Sequence, residues 1–237
     1  MTIETCEDRQ IIKVSGKDNE AFLNNIATNN VKQDLTYAAL LTPQGKYFCD
    51  FFLFKRKNDI FIDTYKPFSE SLISKLTTYK LRADVNLELI DMPVSRGRGS
   101  KVPTSLVDPR HGSLGWRIYG VLGEESKINW TELYVRACIP QSGIELIQND
   151  TYILEARFEE LSGVDFKKGC FIGQEVTARM KHKTKLRKGF STVLVEGAAE
   201  IGTPILSDGN ECGFLFSHSS GTGIAYLRDD IVSRDMS

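Results

Sequence analysis

Apolar and polar positions along this chain follow two different periods. Residues 10–14 (QIIKV) have the pattern of a short strand. Ser15-Gly16-Lys17-Asp18 is then a helix entry with Asp18 as its cap, and Phe22, Leu23 and Ile26 recur at helical spacing. Residues 36–41 and 47–54 are apolar and strand-like, and Pro43-Gln44-Gly45 between them is a turn signal, so the pair predicts a hairpin. Asn58-Asp59 turns into a third strand over 60–63. Across residues 67–81 the stripe Leu72, Ile73, Leu76 and Tyr79 marks the clearest helix, with Pro67 suited to its first turn. Residues 85–90 are the next strand. Hairpins mixed with helices predict an α+β fold rather than a doubly wound one.

The texture changes twice more. Residues 91–112 carry Pro93, Gly97, Gly99, Pro103, Pro109 and Gly112, the composition of a long connection or a crossing between domains. A strand over 114–121 and a helix over 130–138, stopped by Pro140, follow. From Gly189 onward, short β-rich runs (191–195, 203–206, 213–217, 224–227) alternate with Gly and Asp-Gly turns, which predicts a separate small barrel or sandwich.

The 237 residues suffice for two or three small domains. Their net charge of -1 supplies no global field to recruit nucleic acid or anionic lipid, so electrostatic recognition must be local. No apolar run approaches the roughly 20 residues that span a bilayer, and no membrane partner is expected. Residues 1–8 are acidic and lack an apolar core, from which a cytoplasmic location is expected. The five cysteines are odd in number and widely spaced, and His111, His182 and His218 are scattered; neither a disulfide framework nor a metal site is expected.

Chemistry concentrates at Lys167-Lys168-Gly169-Cys170-Phe171-Ile172-Gly173-Gln174-Glu175. Two glycines let the backbone turn tightly around Cys170. The helix that follows, together with Lys167 and Lys168, would favour a thiolate. The bland alternative is a small buried hydrophobe. A Cys/His hydrolase is disfavoured, since His182 stands about three helical turns away. Beyond it lies a basic run. In an extended strand Lys181, Lys183, Lys185 and Arg187 would share one face, suiting a polyglutamate tail or an RNA backbone. A solvated edge strand has the same pattern. In the hairpin, Asp50 is a carboxylate within an apolar strand, on the pleat face of Phe48 and Phe52; such a charge is paired or functional, or else the position is simply an outward one at an edge.

The string from Lys168 to Glu175 resembles the signature of the YgfZ proteins, folate-dependent factors for assembly or repair of iron–sulfur enzymes, themselves similar to the glycine cleavage T-protein. Thr42-Pro43-Gln44-Gly45-Lys46 before Asp50, Asp108-Pro109-Arg110 before Leu114-Gly115, and Arg136-Ala137-Cys138-Ile139-Pro140 follow in family order. The resemblance implies three domains around a central tetrahydrofolate site, the first two interleaved and the third a C-terminal β-barrel. It divides the chain into a folate-binding region, 1–185, and a barrel, 186–237. The former splits into roughly 1–45 with 114–160, and 46–113 with 161–185. It implies functional roles for Cys170 and Lys168, and cofactor-binding roles for Tyr37, Asp50, Arg136, Gln174 and Glu175. It also implies iron–sulfur client proteins as partners, with an indirect link to tRNA modification; a monomer is expected. If the chain is an enzyme, its class is a folate-dependent aminomethyl transferase. The T-protein's two adjacent hairpin acids are Cys49-Asp50 here, however, which argues against that transfer. A non-catalytic module that binds tRNA or protein through the basic run is the third alternative.

Overall fold

The computed structural model describes residues 3–124, 126–183 and 186–228. Its elements are β1 (Ile3–Thr5), β2 (Arg9–Ser15), α1 (Asn19–Ile26), β3 (Thr36–Leu41), β4 (Tyr47–Arg56), β5 (Asp59–Tyr65), α2 (Ser69–Lys80), β6 (Asn86–Ile90), β7 (Val94–Gly97), β8 (Leu106–Val107), β9 (Trp116–Tyr119), α3 (Trp130–Arg136), α4 (Gln174–Lys183), β10 (Lys188–Leu194), β11 (Thr203–Ser207), β12 (Asn210–Ser219) and β13 (Thr222–Arg228).

These strands form three antiparallel sheets, ordered β3-β4-β5-β2-β6, β1-β7-β9-β8 and β10-β13-β12-β11. The fold is α+β with a C-terminal β-barrel unit, as expected. The first two sheets interleave in sequence: β1 precedes the five-stranded sheet and its partners follow it. Both strands of the β3–β4 hairpin lie in the five-stranded sheet, so the expected division at residues 45 and 46 passes through their connecting turn.

The five-stranded sheet is covered on both faces. On one, Ile12, Leu40, Phe51 and Leu53 pack against Leu23 of α1 and Leu72 and Leu76 of α2. On the other, Tyr37, Phe52 and Phe54 meet Val94, Tyr119 and Tyr134, and the same apolar cluster runs on to Phe190 and Ile224 of the C-terminal sheet. Asp18 stands at the start of α1 without capping it; its Oδ2 accepts from Asp84 N at 2.8 Å and ties the helix to the approach to β6. The expected connection over 91–112 contains β7 and β8. β7 has no local signal because its partner β1 is distant in sequence, and β8, Leu106–Val107, is too short to show a period.

Candidate functional site

Asp50 owes its setting to an irregularity in the hairpin. The β3–β4 register slips between Leu40, opposite Cys49, and Leu41, opposite Tyr47. The bulge removes Phe48 from the expected face, where it packs toward α1 and α2 instead, and turns Tyr47 to the side of Phe52. Three hydroxyls therefore converge on the Asp50 carboxylate. Tyr37 donates to Oδ2 at 3.0 Å; Tyr47 and Ser142 donate to Oδ1 at 2.6 and 2.5 Å. Burial, reinforced by the Asp50 charge, pushes both phenol pKa values well up, so the tyrosines remain donors.

Asp50 lines a cavity of about 160 Å³ whose wall carries Arg9, Arg96, Arg110 and Arg117. Three of the arginines are fixed by buried acids. Arg9 and Arg117 reach Asp63 at 2.6 and 3.1 Å; Arg117 and Arg110 reach Asp108 at 3.3 and 2.7 Å. Burial raises the Asp108 pKa, but the two guanidinium groups outweigh it and bring it down to about 2. Arg110 and Arg117 also lie 4.8 and 4.1 Å from the Phe52 ring centre. Arg96 donates to Tyr134 OH at 2.9 Å and Glu4 Oε1 at 2.7 Å, while its Nε is buried without a partner among the described residues.

Among the described residues the cavity thus offers one open acceptor position on Asp50 Oδ2, against aromatic and guanidinium surfaces. That set fits a planar heterocycle presenting adjacent N–H and C=O groups, such as the amide edge of a pterin. The volume admits a ring system and leaves any longer tail outside. Cys49 adds no acid. Burial pushes its thiol pKa far up, and it pairs with Thr64 Oγ1 at 3.0 Å.

The signature loop lies elsewhere. Among the described residues, none from 165 to 175 lines the Asp50 cavity. Gly173, at φ +79°, packs onto the hairpin turn so closely that a Cβ would stand 2.6 Å from Thr42 O and 3.0 Å from Gly45 Cα. Gly45 is equally tight against Val176. The two motifs therefore form one joint, and glycine is required on both sides of it. Cys170 is exposed at this joint; the other four cysteines are buried. Lys168 turns inward, and its Nζ donates to Asn24 O and Ala27 O at 2.7 and 2.5 Å, closing the C-terminal end of α1. Burial lowers its pKa to about 8.

The remaining expected site residues are dispersed. Arg136 is exposed and pairs with Glu132 one helical turn back, at 2.6 Å. It is not a cavity residue, because α3 turns that side outward. Gln174 and Glu175 open α4, where Glu175 pairs with Arg179 at 2.9 Å. The expected basic strand is corrected: Lys181 and Lys183 belong to α4, and two residues of helix separate their directions by roughly 200°. Lys181 is bound to Glu159. Arg187 is exposed just before β10, and Lys185 lies outside the described residues. Sequence reasoning missed Tyr47, Ser142 and the four arginines as site residues. The Asp108-Pro109-Arg110 motif was the available signal for Arg110.

Residues 187–237 match the family model for the CAF17 C-terminal beta-barrel domain. The mitochondrial iron-sulfur cluster assembly factor IBA57 homolog of Mycosarcoma maydis is 26% identical over 95% of this chain and 64% of that protein. Its Neurospora crassa counterpart is 28% identical over 81% of this chain and 53% of that protein. The mitochondrial IBA57 of Mus musculus is 23% identical over 95% and 77%. The chain thus spans between about half and two thirds of the length of the fungal relatives. The relatives carry the IBA57 name rather than YgfZ. In fold, the chain matches the crystal structure of glycine cleavage system aminomethyltransferase T from Bartonella henselae, with a TM-score of 0.77 at 12% identity, over 95% of this chain and 78% of that one. The T-protein arrangement is thereby shown. The cytoplasmic location is corrected: the relatives are mitochondrial by name, and the composition of a protein's body carries no address.

Proposed function

We propose that this protein acts in iron–sulfur cluster assembly and that its central cavity holds the pterin head of a reduced folate. The assembly role is supported by the relatives' names. The folate assignment is carried by one observation: a buried carboxylate, Asp50, held by three hydroxyls at a ring-sized cavity beside the guanidinium groups of Arg96 and Arg110. Asp50 would accept from the pterin amide edge, Arg96 would donate to its carbonyl, and Arg110 would cover the ring. A bound reduced folate carries one-carbon groups on its ring and bridge nitrogens. Cys170, the exposed thiol on the joint between the two motifs, would serve the client proteins, tRNA-modifying enzymes among them. Aminomethyl transfer is not favoured, because Cys49 is a buried, protonated thiol where the T-protein has its second acid.

Equilibrium titration with tetrahydrofolate tests the cavity. Asp50→Asn should weaken binding roughly tenfold or more, the scale of losing a charge-assisted hydrogen bond, and Cys170→Ala should leave binding unchanged. Activation of an iron–sulfur client should then fail with Cys170→Ala. Wild-type protein that binds no tetrahydrofolate would sink the folate assignment. Client activation that survives Cys170→Ala would remove the thiol's role.

A further inference from the structure

A second cavity lies where the C-terminal sheet meets the core. It measures about 260 Å³ and shares no lining residue with the Asp50 cavity. Four aromatic rings wall it: Tyr152 from the segment before α4, Phe190 of β10, Phe216 of β12 and Tyr226 of β13. Phe190 meets Phe216 at 74° with centroids 5.6 Å apart, and Tyr226 at 57° with centroids 5.2 Å apart. These rings are inclined rather than stacked, and an aromatic face attracts a cation that reaches it.

The charged groups on the wall are three acids, Glu145, Asp150 and Glu155, and two lysines, Lys46 and Lys188. Glu145 is 1% exposed and its acceptor positions are taken by the chain itself: Gln141 N at 2.9 Å, Ser217 N at 3.1 Å, the Ser217 hydroxyl and its own backbone N–H. Glu155 Oε2 accepts from Tyr226 OH at 2.6 Å, and among the described residues its other oxygen has no hydrogen-bond partner. The lysines do not answer Glu155. Lys46 Nζ is committed to Asp150, donating to its carbonyl at 2.6 Å with Oδ1 at 3.6 Å, and Lys188 is exposed. Lys46 also lies 3.9 Å from the Tyr152 ring centre, so a wall ring already accepts an ammonium group.

We propose that this cavity binds a small organic cation, an alkylammonium or methylated ammonium head, between the aromatic rings and the carboxylate of Glu155. The volume, below the usual range for a drug-sized ligand, suits a head group. Such a head belongs either to a free amine or to a lysine side chain of a partner protein.

The test is a nuclear magnetic resonance titration of the isotope-labelled full chain with choline and with its neutral isostere 3,3-dimethylbutan-1-ol. Choline should shift the amides of Glu155, Phe190, Phe216 and Tyr226 saturably and bind roughly tenfold tighter than the alcohol. Glu155→Gln keeps an acceptor for Tyr226 and should weaken choline to the level of the alcohol. Equal binding of choline and alcohol by the wild type overturns the proposal, and so does the absence of saturable shifts. This comparison does not depend on the variant folding. A trimethyl-lysine peptide that binds tighter than choline identifies a partner's side chain as the source; no gain identifies a free amine.

Discussion

Lys168 and Cys170 stand two residues apart, and their surroundings divide them. The thiol faces solvent, whereas the ammonium is turned inward onto the last carbonyls of α1. Lys168 therefore secures the loop from beneath, and its substitution should register first as stability. Lys168→Met leaves the Asn24 and Ala27 carbonyls without their donor, at a cost of about 1–3 kcal/mol in denaturant unfolding. The pH dependence has a definite sign. Burial lowers the Lys168 pKa from 10.5 unfolded to about 8 folded, so the unfolded chain binds the proton more tightly. Wild-type stability should then gain on that of the variant as pH rises from about 8 to 10.5, and lose that gain as pH falls back through about 8. A stability difference that does not change across this window would show that Lys168 titrates as it does in the unfolded chain.

At the scale of elements, the joint between the hairpin turn and the loop before α4 explains why the two motifs occur together. Each supplies a glycine with positive φ, and each glycine occupies space that a side chain would need. Gly173→Ala would bring a methyl group to 2.6 Å from Thr42 O in a backbone conformation that favours glycine. About 1–3 kcal/mol of strain is expected. A lower melting temperature and faster tryptic cleavage after Lys167 would report it, and a variant unchanged in both would show the joint to be incidental. The basic run illustrates a competition between periods. Its alternating lysines suit a strand, but Glu175 with Arg179 and Val176 with Met180 have helical spacing and good helix formers between them, and the helix prevails.

At the scale of the molecule, the C-terminal sheet is bound to the rest by shared core and by hydrogen bonds. Phe190 and Ile224 belong to the same apolar cluster as Tyr37 and Tyr134. Phe190 N donates to Glu155 O at 2.9 Å, and Thr192 Oγ1 donates to Val135 O at 3.3 Å. A continuous core predicts a single cooperative transition. Trp116 and Trp130 lie outside the C-terminal sheet, so their fluorescence should lose native signal at the same denaturant concentration as the far-ultraviolet circular dichroism, to which that sheet contributes. Two separated midpoints would mean that the barrel unfolds independently.

The helices α1 and α2, the β3–β4 hairpin and the C-terminal β-rich unit were legible in the sequence, because each is specified by residues adjacent along the chain. So was Asp50 as a polar residue in an apolar strand, and the glycine-flanked Cys170. Tertiary structure alone decided what surrounds them. The bulge that turns Tyr47 toward Asp50 is a matter of register between two strands, which apolar strings do not specify. The arginine wall draws on β2, β7, β9 and the segment before it, and its pairs Arg9–Asp63 and Arg117–Asp63 each bridge 54 positions. Such pairs form only where burial makes an unpaired charge too costly to leave, a condition that exists once distant strands have packed and has no trace in local composition.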